Sequence, residues 1–254
     1  MIIDDVKRLK TAIFLSFIII VGLNLCTLAE GADSDVVLKV GMPVPGQVPF
    51  LWSDENGQIK GIYADTLRAV ASEVDLEIVF LPLSQARLIR HFVAGEIDME
   101  IGVSSKAKER SEIANLSIFS RPFGMANEVI IYTPKLRFPA FILKDLKGRK
   151  VAAVRGALTP EYIVRENFTS PLQIAKRVNR GWSEVGFMRE APAMHYKINK
   201  GMGYKISLPY ESNPIRFRLH LKRSGLINKI DEAIDKISAE GRLEQIICNY
   251  LCGN

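Results

Sequence analysis

Hydrophobic and polar positions along the 254-residue chain alternate between two periods. Residues 36–42 form a β-rich run that ends in Pro and Gly, the mark of a buried strand entering a loop. After the Asn56-Gly57 turn, Leu67, Val70, Ala71 and Val74 recur at helical spacing across residues 63–74. A strand over 76–81, an amphipathic helix over 84–94 and a strand over 97–103 follow. Strand and helix alternating through short loops predict a parallel α/β sheet.

The second half repeats the alternation less cleanly. Strands are expected over 128–133, 149–154, 185–188 and 204–208. Thr159-Pro160-Glu161 carries an N-cap residue, a first-turn proline and an acidic first turn, which predicts a helix start just after the 149–154 strand. Ile215, Phe217, Leu219 and Leu221 alternate with Arg216, Arg218 and His220, a last strand over 215–221. Ile227, Ile230, Ile234 and Ile237 form one stripe of a helix over 226–239, and Gly241 separates it from a closing helix that ends near Leu251. Two α/β blocks joined near 124–132, with a return strand near 214–221, give a two-lobed chain crossed twice. Ligands usually sit in the cleft of such a chain.

The ends and the charge refine this picture. Lys7, Arg8 and Lys10 precede an apolar run over 11–23 and small residues near Ala29, the layout of a secretory signal peptide over 1–29. An uncleaved anchor is one alternative reading, and a lipoprotein at Cys26 another, although Leu25 stands where a small residue would be expected. The remaining cysteines, Cys248 and Cys252, are one helical turn apart and in an oxidising compartment are either bridged or free. Residues 130–213 hold 15 Lys and Arg against 6 Asp and Glu, whereas 34–129 hold 9 against 13. So basic a half favours an anionic ligand or partner surface, or serves only solubility. The basic residues are scattered without interleaved aromatics, which argues against nucleic acid. His91, His195 and His220 lack partners at metal-ligand spacing, and no nucleophile elbow or phosphate loop is present, so no metal or cofactor is expected.

Several segments together resemble a known family. They are Val40-Gly41, Pro49-Phe50, Gly57, Gly61, Gly95-Glu96-Ile97-Asp98, Glu109-Arg110 and the knot Phe119-Ser120-Arg121-Pro122-Phe123. Asp145-Leu146-Lys147-Gly148-Arg149-Lys150-Val151-Ala152, Gly156 and the helix-Gly-helix tail around Gly241 complete the set. In family order they resemble the extracellular solute-binding proteins of family 3, the amino-acid-type periplasmic binding proteins of ABC transporters. The resemblance implies an α/β, two-lobed periplasmic-binding-protein type II fold with two hinge crossovers. Lobe 1 would comprise 34–127 and 216–254, and lobe 2 residues 128–215. It implies a monomer that binds an amino acid or small carboxylate and performs no chemistry on it. A membrane permease, or alternatively a membrane sensor, would be the partner. A cyclohexadienyl-dehydratase-like enzyme is a further alternative, with Glu190 as its one nameable acid.

Arg110, twelve residues after Asp98, has the spacing of the family's carboxylate-clamping arginine, and a guanidinium matches a carboxylate at two points. The competing reading is a surface arginine paired with Glu109 or Glu112, within a run where Lys106 and Lys108 read as a solvated face. Ser104 and Ser105 leave a buried strand where hydroxyls and N–H groups can point into a cleft. Phe50 and Trp52 offer an apolar wall or a cation–π face, with Trp52 the better cleft candidate. Arg87 closes a Pro-x-x-x-x-Arg loop seen in one branch of the family. In lobe 2, Gly156 would precede a helix N-terminus able to hold an anion, with Arg155 adding charge. At the position where many members hold the ligand ammonium with an Asp stand Arg189 and Glu190, and spacing leaves both open.

Overall fold

The computed structural model describes residues 37–104, 111–136, 142–155, 157 and 159–252. The expected signal peptide therefore lies outside the described residues. So do Ser105, Arg110 and Gly156.

The first block begins with β1 (Val37–Pro43), a small hairpin of β2 (Trp52–Ser53) and β3 (Ile59–Lys60), and α1 (Ile62–Glu73). It continues through β4 (Glu77–Leu83), α2 (Gln85–Val93), β5 (Met99–Ser104), α3 (Ser111–Ala114) and β6 (Ser117–Phe119). β1 lies between β4 and β5 and is parallel to both. The hairpin turns at the Asn56-Gly57 pair, where Asp54 accepts from the Asn56 and Gln58 N–H groups and Gly57 adopts φ 78°. The apolar stripe of α2 buries Leu88 and Phe92 against Ile97 and Ile113.

The second block holds β7 (Gly124–Tyr132), β8 (Lys150–Val154), β9 (Val164–Phe168), α4 (Pro171–Asn179), β10 (Val185–Arg189), α5 (Glu190–Asn199) and β11 (Lys205–Ile206). The chain returns through the long β12 (Glu211–His220) to α6 (Ile227–Ala239) and α7 (Arg242–Leu251). Strand residues alternate between two cores as the pleat requires. Val129, Ile131, Ala152 and Met188 face α4 and α5, while Ile130, Val151, Ala153, Val185 and Phe187 face the other side.

β12 joins the blocks into a ten-stranded sheet of order β4-β1-β5-β12-β7-β10-β8-β9, with β6 and β11 pairing off this path. Its first half pairs with β7, from Glu211↔Glu128 to Ile215↔Gly124; its second half pairs with β5, from Ile215↔Ser104 to Leu219↔Met99. β7 and β12 are therefore the two crossing strands of a two-lobed α/β fold.

The helix expected to start at Thr159 is not there. Residues 161–163 form a turn, with the Ile163 N–H bonded to the Pro160 carbonyl, and β9 follows directly, parallel to β8. Ile163 packs into the lobe-2 core, and backbone pairing of 164–168 along β8 outweighs the local helix-start signal. A similar start eleven residues later, without the acidic residue, is the one used: Ser170 caps α4, its hydroxyl accepting from the Gln173 N–H at 3.4 Å, with Pro171 in the first turn. Cys248 and Cys252 are joined by a disulfide across the last turn of α7.

Candidate functional site

The C-terminal ends of β1 and β5 border a cavity of about 470 Å³ in lobe 1, lined by Gly41, Pro43, Gln85, Ile89, the stretch from Glu100 to Ser104, and Ile113. One backbone demand and one buried ion pair shape it. Gly102 has φ 77°, and a Cβ there would stand 2.3 Å from the Tyr63 ring, so only glycine lets β5 pass under that ring. Glu100 and Arg218 stand opposite each other on β5 and β12 and form a buried ion pair beneath the cavity. The Arg218 guanidinium lies 4.9 Å over the Phe92 ring.

A larger cavity of about 610 Å³ opens at the C-terminal ends of β8 and β10. Val154, Ala157, Thr159, Pro160, Phe187, Met188 and Arg189 line it from lobe 2; Glu128, Glu211 and Asn213 line it from the crossing strands, with Tyr210 just before β12; Gln47 reaches it from the loop after β1. Arg189 borders both this cavity and the lobe-1 cavity. Its Nε donates to Glu128 Oε1 at 3.3 Å, and its guanidinium lies 5.8 Å from the Phe50 ring centre. In the sheet, Glu128 stands opposite Arg189 on one side and Glu211 on the other. A row of one cation and two carboxylates thus crosses the strands between the lobes. Neighbouring hydroxyls register the row. Burial, then the charges of Glu128 and Glu211, raises Tyr210 above its ordinary value. Burial pushes Tyr63 up to about 12 despite the nearby Arg189.

A third cavity, about 380 Å³ and mostly apolar, lies where the crossing strands meet α5 and α7, with Phe50, Tyr63, Met125, Met194, Ile247 and Leu251 in its walls.

The residues singled out from sequence fall in different places. Ser104 and Arg189 line the facing cavities. Ser104 and Ile113, on either side of the segment that contains Ser105 and Arg110, line the same lobe-1 cavity. Arg87 is exposed on α2, while its neighbours Gln85 and Ile89 line that cavity. Phe50 is buried and stacks on Tyr63 at 4.8 Å. Trp52 meets the Tyr250 ring edge-on at 5.8 Å, docking the closing helix to the hairpin, and lines none of the three cavities. Arg155 is exposed, with its N–H on the Phe168 carbonyl, and without a helix at 159–163 the expected helix N-terminus beyond Gly156 is absent. Glu190 opens α5 and accepts from Asn127 Nδ2 at 2.7 Å; it borders the third cavity. Gln47, Glu128, Tyr210, Glu211 and Asn213 carried no local signal: strand register brings Glu128, Glu211 and Asn213 together, and the tertiary fold adds Gln47 and Tyr210.

Comparison with known proteins agrees with this architecture. The family model for bacterial extracellular solute-binding proteins, family 3, matches residues 38–252. The probable amino-acid-binding protein YxeM of Bacillus subtilis is 24% identical over 236 residues, 87% of this chain and 86% of that protein. A probable amino-acid ABC transporter-binding protein of Haemophilus influenzae is 22% identical over 208 residues, 78% of each. Among solved structures, an ancestral cationic amino acid solute-binding protein superposes with a TM-score of 0.72 at 19% identity, covering 85% of this chain and 95% of that one. The fold and the family match across nearly the whole described chain make this protein a member of the bacterial extracellular solute-binding proteins, family 3.

Proposed function

We propose that the chain binds an amino acid between lobe 1 (34–127 and 216–254) and lobe 2 (128–215) and passes it on without chemical change to an ABC permease. The observation that carries this reading is Arg189, which borders a cavity in each lobe and sits in a row with Glu128 and Glu211. A zwitterion needs both signs of charge within one small volume, and this row supplies both. Arg110 is assigned the ligand carboxylate, because the chain on both sides of it borders the lobe-1 cavity. Glu128 and Glu211 are assigned the ammonium side, a role that Glu190 does not share in this reading because Asn127 engages it. Ligand contacts to both lobes favour a closed form through hinge motion at β7 and β12. The relatives' names support the amino-acid class and the transport role. Export to the periplasm follows from the signal-peptide pattern of residues 1–29.

A thermal-shift screen against amino acids, polyamines and carboxylates tests the reading. A ligand at about 100 times its Kd stabilises the fold by about 2.7 kcal/mol. Silence toward every acid-bearing compound at high concentration refutes it, as does wild-type affinity in Arg110→Ala.

A further inference from the structure

Strand register sends one set of charged residues to the end of lobe 2 away from the cavities. At the cavity end stand Val154 and Arg189, the last residues of β8 and β10. At the opposite end Val185 pairs with both Val151 and Tyr132, Lys150 with Val164, and Lys205 with Tyr132. The turns here bring Lys147 and Arg180 to the same end, since the Gly148 N–H meets the Tyr162 carbonyl and Arg149 pairs with Glu184. Lys135 follows Tyr132 closely. These five residues, Lys135, Lys147, Lys150, Arg180 and Lys205, are all exposed. The acids close by are Glu184, tied to Arg149, Asp145, which accepts from the Ile142 N–H, Glu161, and Glu166, which accepts from the Ser183 hydroxyl that in turn accepts from Arg177.

Amid these cations Trp182 is 61% exposed. It is held by two guanidinium groups, Arg180 at 4.7 Å and Arg177 at 5.8 Å from its ring centre, and Arg177 also lies 4.9 Å over Phe168. Tyr162 and Val164 add exposed apolar surface at the neighbouring edge strand. None of the three cavities takes a lining residue from this set.

We propose that this end of lobe 2 is a docking surface for an anionic lipid membrane. Charge complementarity selects a negative partner, because exposed lysines near a surface of anionic headgroups each add to binding. The aromatic selects a lipid one. Tryptophan concentrates at the membrane–water interface, where its ring is half in apolar surroundings and its N–H stays wet. A protein partner of comparable specificity would bury an anchoring side chain in a pocket, and this set lines none of the three described cavities. The docked end points away from the cavities, so a ligand would still enter while the protein rests on the membrane. This inference does not depend on which ligand the cleft takes.

Co-sedimentation of the full chain with vesicles tests it, comparing phosphatidylglycerol-containing with pure phosphatidylcholine vesicles. Lys147→Glu combined with Lys150→Glu, and separately Trp182→Ala, leave residues 1–36 untouched, so a loss reports this end and not the apolar N-terminal run. The wild type is expected to pellet with the phosphatidylglycerol vesicles and to be released in about 1 M salt, where the screening length is about 3 Å. The double variant should bind about tenfold more weakly or worse. Thermal midpoints and, as a second charge variant, Lys205→Glu control for folding. Equal pelleting of wild type and variants overturns the proposal, as does equal binding to both vesicle types. If the variants lose retention on immobilised polyglutamate but not on vesicles, the surface belongs to an acidic protein partner and the proposal fails.

Discussion

Glycine at position 102 shows how one residue can be dictated by a neighbour far away in sequence. The Tyr63 ring occupies the place a side chain would take, and the backbone there is left-handed. Gly102→Ala should therefore cost about 3 kcal/mol, from overpacking and from the strained φ together, read as a lowered urea midpoint. Arg218 gives a second test at this scale. Arg218→Met removes the guanidinium that faces Glu100 in the buried pair and should cost about 3–5 kcal/mol. A double-mutant cycle with Glu100→Gln measures the coupling directly. Neither role was legible in sequence. Arg218 read as the polar half of an alternating strand; the alternation is real, and only the structure shows that this arginine is buried.

At the scale of elements, the two proline-bearing helix signals separate local preference from context. Ser170→Ala should lower stability by about 1 kcal/mol, because it removes the hydroxyl that accepts from Gln173. Thr159→Ala should change stability by less than about 0.5 kcal/mol, because no helix begins there for it to cap. Periodicity identified β1, α1, β4, α2 and β5 nearly to their ends, since each carries an uninterrupted apolar pattern. The hairpin of β2 and β3, the short β6, α4 and α5 carried weaker patterns and were not separated from their loops. Asp98, at the approach to β5, binds elements together. It accepts from the Lys39 N–H at 2.9 Å and meets Arg223 and Lys222 beyond β12. Burial pulls its carboxyl up, but that N–H and the two cations outweigh the effect and hold it below the ordinary carboxylate value. A depressed acid stabilises the fold above its unfolded pKa and loses that contribution as the pH falls through the folded value. Asp98→Asn should accordingly flatten the acid limb of a stability–pH curve below about pH 4, without changing its alkaline side.

For the whole molecule, the two crossing strands are the feature with functional reach. β12 pairs with the other crossing strand, β7, along its first half and with β5 along its second, so bending near Ile215 would swing one lobe toward the other. Saturating ligand should reduce the radius of gyration in small-angle scattering, and Arg110→Ala should abolish the reduction. Arg189→Met should weaken binding at least tenfold with little loss of stability, because its partner Glu128 is only part-buried.

The sequence by itself determined the α/β class and the two-block organisation with its return strand, because apolar periodicity is a local quantity that survives without coordinates, and its motifs taken in order carried the resemblance to the family. Tertiary structure alone decided which charges meet. Arg189, Glu128 and Glu211 come from strands far apart in the chain, and their alignment is a matter of β-sheet register. A shift of one residue would turn each of them to the opposite face of the sheet. The choice of β9 over a helix after Pro160 has the same origin. Local signals favour the helix, but pairing with β8 and burial of Ile163 are interactions that only the assembled lobe provides.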